Sequence, residues 1–180
     1  MIEIPYSFSA AFISLCFFAV RAGVFIKTGK FSLHREWQML FVYVCLLVVA
    51  RFTFFPFSKV NGEIQPLLFS KEALFPMKVN MAPFVHLMNY PQLSSAILNL
   101  AGNTAMFIPV GIIWPAVFER LDTHKKVILA GIGFSLCIEM LQLPFLDRVS
   151  DLDDLILNTL GYLMGYGIFL LWKKKKGKKN

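Results

Sequence analysis

The composition is that of a membrane protein rather than a soluble one. The sequence has 180 residues, of which 57% are hydrophobic and only 16% are charged, whereas an ordinary globular domain carries about 25% charged residues. The length suits one membrane domain, residues 1–180, and excludes a second catalytic domain. Much of the net charge of +7 lies in a lysine-rich tail, residues 173–180. A basic run beside an apolar segment is a membrane topology signal and not a nucleic-acid groove, so nucleic acid is excluded as a partner.

Five apolar segments follow one another along the chain. A membrane-spanning helix needs about 20 mostly apolar residues, and each segment is close to that length. The first follows MIEIP, which lacks the positive charge of a signal peptide, so we interpret it as a helix of the bundle. The sequence therefore predicts an all-α, polytopic bundle of about five transmembrane helices. The predicted spans cover residues 6–26, 37–57, 93–118, 126–143 and 153–172.

Charges in the connections predict the orientation of the bundle. Basic residues are concentrated in residues 27–36, in residues 119–126 and in the tail, and they are sparser in the other connections. The positive-inside rule therefore places the tail in the cytoplasm and, with five spans, the N-terminus outside. The long outer connection, residues 58–92, combines apolar stretches with prolines, which favours an interfacial or re-entrant segment.

Polar side chains from four predicted helices and one connection fall at the same depth, near the outer side. Asn99 and Asn103 lie four residues apart and so share one helix face, and Glu139 and Gln142 share another. Charged groups in a bilayer are costly, face the bundle interior and mark functional sites by default. The set consists of Arg51, Asn99, Asn103, Glu139, Gln142, Arg148, Asp151, Asp153, Asp154 and Asn158.

Most of these residues also have a purely structural interpretation. The aspartates at 151–154 open a helix, where carboxylates cap free N–H groups, and capping accounts for at least one of them. The long side chain of Arg148 can reach the lipid headgroups. Asn99 and Asn103 can form hydrogen bonds between helices. Glu139 and Arg51 are harder to explain in this way, because both lie inside apolar segments. For Glu139 the sequence favours function.

The fifth span also carries a packing signal. Gly161 and Gly165 are four residues apart, so they share a helix face that another backbone can approach closely. This pattern predicts a helix–helix contact and not a phosphate-binding loop.

Three stretches carry a family pattern. They are NMAPF at residues 80–84, NLAGNTAMFIPVGIIWP at residues 99–115, and IEMLQ followed by DRVSDLDDLILNTLGYLMGY within residues 138–166. In these stretches the chain resembles the VanZ-like family of small bacterial membrane proteins, and the likeness covers roughly residues 51–170. The resemblance implies a location in the bacterial cytoplasmic membrane and a role at the cell surface. The founding member is associated with resistance to teicoplanin, a lipid-tailed glycopeptide antibiotic, but the family has no settled biochemical activity.

The first hypothesis is a surface protein with a polar pocket in the outer leaflet. The pocket would bind a lipid headgroup, a lipid-linked wall precursor or the lipoglycopeptide itself, and residues 58–92 would contact the acyl portion. Membrane lipids are the expected partners, and no cofactor is expected. The resemblance adds Asn80 to the candidates. The predicted ligand-binding residues are Arg51, Asn80, Asn99, Asn103, Gln142, Arg148, Asp151 and Asn158.

The alternative is an intramembrane enzyme acting on a lipid-linked phosphate or sugar. Glu139 would be its general acid or base, and Asp154 is the second candidate catalytic residue. Asp151 and Asp154 offer oxygen ligands of the kind that Mg²⁺ accepts, although no metal-binding motif is present. The sequence contains no HExxH and no GxSxG. A transporter is the least favoured hypothesis, because the inner halves of the spans carry almost no polar residues and no repeats are visible.

Overall fold

A computed structural model describes residues 1–55, 60–82 and 93–177; within the helix that begins at Leu93, the side chains of residues 93–96, 98 and 99 are outside this description. The described residues form a bundle of five long helices, which confirms the predicted all-α architecture. The helices are α1 (Tyr6–Thr28), α2 (Leu33–Phe54), α3 (Leu93–Val117), α4 (His124–Gln142) and α5 (Leu152–Gly177).

Four of the described helices are long and apolar enough to cross a membrane: α1, α2, residues 100–117 of α3, and α5. Helix α4 has 19 residues, which gives a length of roughly 28 Å at 1.5 Å per residue. It is not among these four, because three of its 19 residues are charged: Lys125, Lys126 and Glu139. Helix α4 corresponds to the fourth predicted span, residues 126–143.

The C-terminus of α2 lies at Phe54, three residues before the predicted boundary at residue 57. Phe55 has an extended backbone, with φ −113° and ψ 142°. It precedes a proline in the sequence, and the proline ring disfavours the helical conformation of the residue before it. The helix therefore ends where the sequence changes from helix-forming residues to Phe–Pro.

The helices alternate in direction, so their termini collect at two ends of the bundle. At the basic end (residues 27–35, 118–126 and 173–177), Arg35 Nη1 donates to the carbonyl oxygen of Val117 at 2.6 Å. At the polar end (residues 2–6, 51–55, 93–103 and 139–158), Gln142 Nε2 donates to the carbonyl oxygen of Thr53 at 2.7 Å. All the candidate site residues lie within these ranges except Asn80, which belongs to a segment that pairs with Ser150 and Asp151 at this end.

Helices α3 and α5 form the most extensive contact in the described bundle. A Cβ atom added to Gly161 would lie 2.0 Å from the carbonyl oxygen of Thr104, and one added to Gly165 would lie 2.1 Å from that of Ile108. From the other side, a Cβ on Gly111 would lie 1.9 Å from the carbonyl oxygen of Tyr162. Glycine is therefore required at these positions for the two backbones to touch, which confirms the packing predicted from the sequence.

A short segment of the long connection covers the polar end. We call residues 60–82 the cap. Strand β2 (Leu67–Phe69) pairs antiparallel with β1 (Ile2–Ile4), and β3 (Val79–Asn80) pairs parallel with β4 (Ser150–Asp151). The backbone N–H of Leu146 also donates to the carbonyl oxygen of Leu68 at 2.9 Å. The cap is thus joined both to the N-terminus and to the α4–α5 connection; the rest of the predicted interfacial loop, residues 58–59 and 83–92, is outside the described residues.

Candidate functional site

Three polar side chains donate to carbonyl groups at the C-terminal end of α2 and to that of Phe55, the residue after it. These groups have no partner within their own helix, so they need donors from elsewhere. The three hydrogen bonds run from Gln142 Nε2 to Thr53 O at 2.7 Å, from Arg148 Nε to Phe54 O at 2.8 Å, and from Arg51 Nη1 to Phe55 O at 3.2 Å. The Arg51 guanidinium also lies over the rings of Tyr6 and Phe52, 5.8 and 5.3 Å from their centroids. All three candidates therefore contribute to the fold as well as to any site.

Glu139 joins α4 to the start of α5. Its side chain is 4% exposed. Its Oε2 accepts two hydrogen bonds, one from the backbone N–H of Asp151 at 2.9 Å and one from Ser150 Oγ at 3.2 Å. Its Oε1 is buried and has no hydrogen-bond partner among the described residues. One carboxylate oxygen is thus held firmly, while the other remains available.

The three aspartates at the start of α5, Asp151, Asp153 and Asp154, have different roles. Asp151 Oδ1 accepts a hydrogen bond from the backbone N–H of Asp153 at 3.0 Å, which caps the first turn of α5. Asn80 Nδ2 lies 3.3 Å from each carboxylate oxygen of Asp151. Strand β3 therefore places a side chain against the aspartate that caps α5. Capping therefore accounts for one of the three aspartates, as the sequence indicated.

Asp154 faces α3 rather than the helix terminus. Asn103 Nδ2 donates to Asp154 Oδ1, which is a direct contact between α3 and α5. One turn further along α5, Asn158 is 2% exposed, and its Oδ1 has no hydrogen-bond partner among the described residues. Asn103 thus acts as a contact between helices. The side chain of Asn99, predicted to share its face, lies outside the described residues.

Four residues at the polar end each leave one buried polar atom without a partner in the described part of the chain. Buried polar atoms are normally hydrogen-bonded, and leaving one unsatisfied costs about 1–3 kcal/mol. The four atoms are Glu139 Oε1, Gln142 Oε1, Arg148 Nη2 and Asn158 Oδ1. Two more such atoms, Trp114 Nε1 and Tyr162 Oη, belong to an aromatic contact with ring centroids 6.1 Å apart.

Charge interactions link two of these residues, Glu139 and Arg148, through Asp154. Asp151 and Asp154 lie close enough to Glu139 for their charges to interact with it, and Asp154 interacts in the same way with Arg148. Burial lowers the pKa of the Arg148 guanidinium, and the carboxylates of Asp147 and Asp154 oppose that shift. Among the described residues Arg148 forms no salt bridge, and its charge interacts with Asp147 and Asp154 at longer range. The polar end therefore brings Asp154 within the range of charge interactions of both Glu139 and Arg148.

The structure adds two groups that the predicted polar set omits, Ser150 and the Thr53 carbonyl. Ser150 donates to Glu139, and the Thr53 carbonyl oxygen accepts from Gln142. Asp153, which belongs to that set, is 6% exposed and close enough to Asp154 for their charges to interact. A serine in a connection and a backbone carbonyl have no distinctive sequence pattern, so neither contact could be predicted from the sequence. Within the described residues, no group of three or more His, Cys, Asp or Glu side chains is arranged to hold a metal ion.

The comparisons with known proteins agree with this picture at the family level. The family model described as VanZ/LLP1 matches residues 40–173, well over half of the chain. That range begins in α2, covers α3 and α4 and reaches the last part of α5, so it includes every candidate site residue. No curated protein and no solved structure gives a match. The chain therefore belongs to the VanZ/LLP1 family.

Proposed function

We propose that the polar end faces the outside of the bacterial cytoplasmic membrane and binds the polar part of a lipid-linked molecule. The molecule would be a membrane lipid, a lipid-linked wall precursor or a lipoglycopeptide such as teicoplanin. The orientation is supported by the concentration of Lys and Arg at the opposite end, in residues 27–35, 118–126 and 173–177. The N-terminus and the cap would then lie outside, and the lysine tail in the cytoplasm.

The observation that carries this proposal is the set of unpartnered buried atoms of Glu139, Gln142, Arg148 and Asn158. These side chains come from α4, from the α4–α5 connection and from α5. Hydrogen bonds of their other polar atoms hold Glu139, Gln142 and Arg148 in place. An arrangement that is fixed on one side and unsatisfied on the other is suited to a polar ligand, because the ligand would supply the missing hydrogen bonds.

Exposed apolar side chains of the cap are evidence for a ligand with an acyl portion. Phe75 is 79% exposed and Met81 is 71% exposed, and both belong to the segment that crosses the polar end. Exposed apolar side chains beside a polar cluster are typical of a surface at the boundary between headgroups and acyl chains. In this proposal the cap would contact the acyl chain while the cluster binds the headgroup.

Drug susceptibility tests this function. The chain would be expressed in a susceptible Gram-positive host, and growth would be compared in teicoplanin and in vancomycin. We expect selective protection against teicoplanin that is lost in Glu139→Gln and Asp154→Asn at matched expression. Asp122→Asn is the control, because Asp122 is exposed at the basic end and should leave protection intact. Equal protection by all four proteins would contradict a role for the polar cluster.

An intramembrane enzyme is the second candidate function. One observation favours it. Two donors fix Oε2 of Glu139, while its Oε1 has no hydrogen-bond partner among the described residues. A general acid or base needs such an oriented carboxyl group with one oxygen left for the substrate. Asp154 would act beside it on a lipid-linked phosphate or sugar. In an enzyme, Glu139→Gln should abolish turnover and retain substrate binding, whereas in a binding protein the same change should only weaken affinity.

A further inference from the structure

The two residues of strand β4, Ser150 and Asp151, contact the cap and the buried Glu139 at the same time. They pair in parallel with β3 of the cap, and the backbone N–H of Ser150 donates to the carbonyl oxygen of Lys78 at 3.0 Å. The same two residues donate to Oε2 of Glu139, Ser150 through Oγ at 3.2 Å and Asp151 through its backbone N–H at 2.9 Å. The two N–H groups of β4 thus have different partners, since that of Ser150 bonds to the cap and that of Asp151 bonds to the glutamate.

Glu139 depends on β4 for its orientation. Its side chain is 4% exposed, and both of the hydrogen bonds that it accepts from the described residues come from β4. A buried polar group is positioned by the partners that satisfy it, and losing them inside a protein is costly. A displacement of β4 therefore removes both donors from Oε2 of Glu139 together, although neither donor belongs to the cap.

The side chain of Asn80 connects the cap to β4. Its Nδ2 lies 3.3 Å from each carboxylate oxygen of Asp151, and its Oδ1 accepts from the backbone N–H of Ala82 at 3.2 Å. Both ends of the amide thus have partners within the chain, one in its own turn and one on β4. Asp151 Oδ1 also accepts from the backbone N–H of Asp153. Asn80 consequently holds in place the residue whose N–H donates to Glu139.

From these contacts we infer that Asn80 is a positioning residue for Glu139 and acts through Asp151, not by binding the ligand itself. The residues that hold a functional side chain are as necessary for its geometry as the side chain itself. The inference rests on the proposed function, in which Glu139 meets the polar part of the ligand. It adds that the cap sets the orientation of that carboxyl group.

Exchanging the two paired side chains tests the inference. Asn80→Asp replaces the donor Nδ2 by an oxygen of similar size opposite the carboxylate of Asp151, and the two like charges repel. Adding Asp151→Asn restores one donor and one acceptor across the same gap, and asparagine still accepts the N–H that caps α5. The single variant should therefore displace β4, and the double variant should return it.

The readout is the infrared carboxyl band of Glu139 in the purified full-length protein in detergent. It is isolated as the difference between each protein and the same protein carrying Glu139→Gln. We expect Asn80→Asp to shift this band, because both donors to Oε2 move away, and the exchange with Asp151→Asn to return it to the wild-type position. Lys71→Ala, at an exposed position of the cap, is the control and should leave the band unchanged.

A second variant keeps the test decisive if Asn80→Asp does not fold. Asn80→Ala only removes the amide and should shift the Glu139 band as well. An unchanged band in the variant that folds would overturn the inference. A shift in Asn80→Asp that the exchange with Asp151→Asn does not reverse would also overturn it, because the effect would then not pass through Asp151.

The infrared band separates this inference from the proposed function, because it requires no ligand. Teicoplanin protection is measured for the same proteins in the susceptible host. A shifted band in Asn80→Asp, with no protection by the wild type, would support the positioning role and remove the proposed function. Protection by Asn80→Asp equal to that of the wild type, with an unchanged band, would remove this inference alone.

Discussion

The contact between α3 and α5 positions Asp154 and Asn158, and Gly161→Ala tests it. The added methyl group would lie 2.0 Å from the carbonyl oxygen of Thr104 and 2.8 Å from its carbonyl carbon. Both are backbone atoms, so no side-chain rotation relieves the clash. The helices have to separate by about 1 Å before the contact becomes tolerable. Asn103 precedes Thr104, and the same separation would stretch its hydrogen bond to Asp154.

The expected cost follows from overpacking. Adding one methyl group to a packed interior costs about 1–3 kcal/mol, and sometimes more. For a chain of about this size, 1 kcal/mol corresponds to a change in Tm of about 2–4 °C. We therefore expect Gly161→Ala to lower the Tm by about 2–12 °C. The matched control is Gly167→Ala in the same helix, because a Cβ there meets no atom within 4 Å.

The assay is thermal unfolding of purified protein in one detergent, followed by intrinsic tryptophan fluorescence. Gly167→Ala should melt at the wild-type temperature or slightly above it, since alanine favours a helix over glycine. Gly161→Ala should melt several degrees lower. If both variants melt together with the wild type, α3 and α5 do not approach as closely as the structure indicates, and the position of Asp154 has to be reconsidered.

Three further changes have defined outcomes. Asn103→Ala removes the contact to Asp154 and should destabilise the protein by about 1–2 kcal/mol, measured by denaturant unfolding in mixed micelles. Ser150→Ala removes one of two donors to the buried glutamate and should cost about 1 kcal/mol by the same measurement, with an unchanged stability arguing against that hydrogen bond. The hydrogen bond from Lys126 lowers the pKa of Asp122, so any stability from this pair is present above the unfolded pKa and is lost as pH falls through the folded pKa. Wild type and Asp122→Asn should therefore converge in Tm as the pH is lowered, and divergence would contradict the sign of the shift.

Local sequence patterns were sufficient to predict the helices. The apolar runs are long, and each predicted span begins and ends within a few residues of the observed helix. The agreement is expected, because burial of a helix in lipid requires continuous apolar sequence. The contact of Gly161 and Gly165 with α3 was also predictable, since only glycine allows such an approach. The capping of α5 by Asp151 was predictable as well, because the first N–H groups of a helix need local acceptors.

The cap and much of the site depend on contacts that no local pattern encodes. Strands β3 and β4 have two residues each, and their pairing joins Asn80 to Asp151 across 71 residues of sequence. The carbonyl oxygen of Thr53 is satisfied by Gln142, 89 residues away. Side-chain depth along a helix can be inferred from sequence, but helix rotation and the partners of each polar atom depend on tertiary packing. The functional roles of the candidate residues stay predictions.

The central claim is that the polar end faces the cell exterior, and cysteine labelling tests it most directly. All three native cysteines would be replaced by alanine, and single cysteines introduced as Asp147→Cys at the polar end and Asp122→Cys at the basic end, both at exposed positions. In intact bacteria, a membrane-impermeant maleimide should label the Asp147→Cys protein, and it should label the Asp122→Cys protein only after lysis. Labelling of Asp122→Cys alone in intact cells would contradict the orientation and remove the basis for an outer-leaflet site.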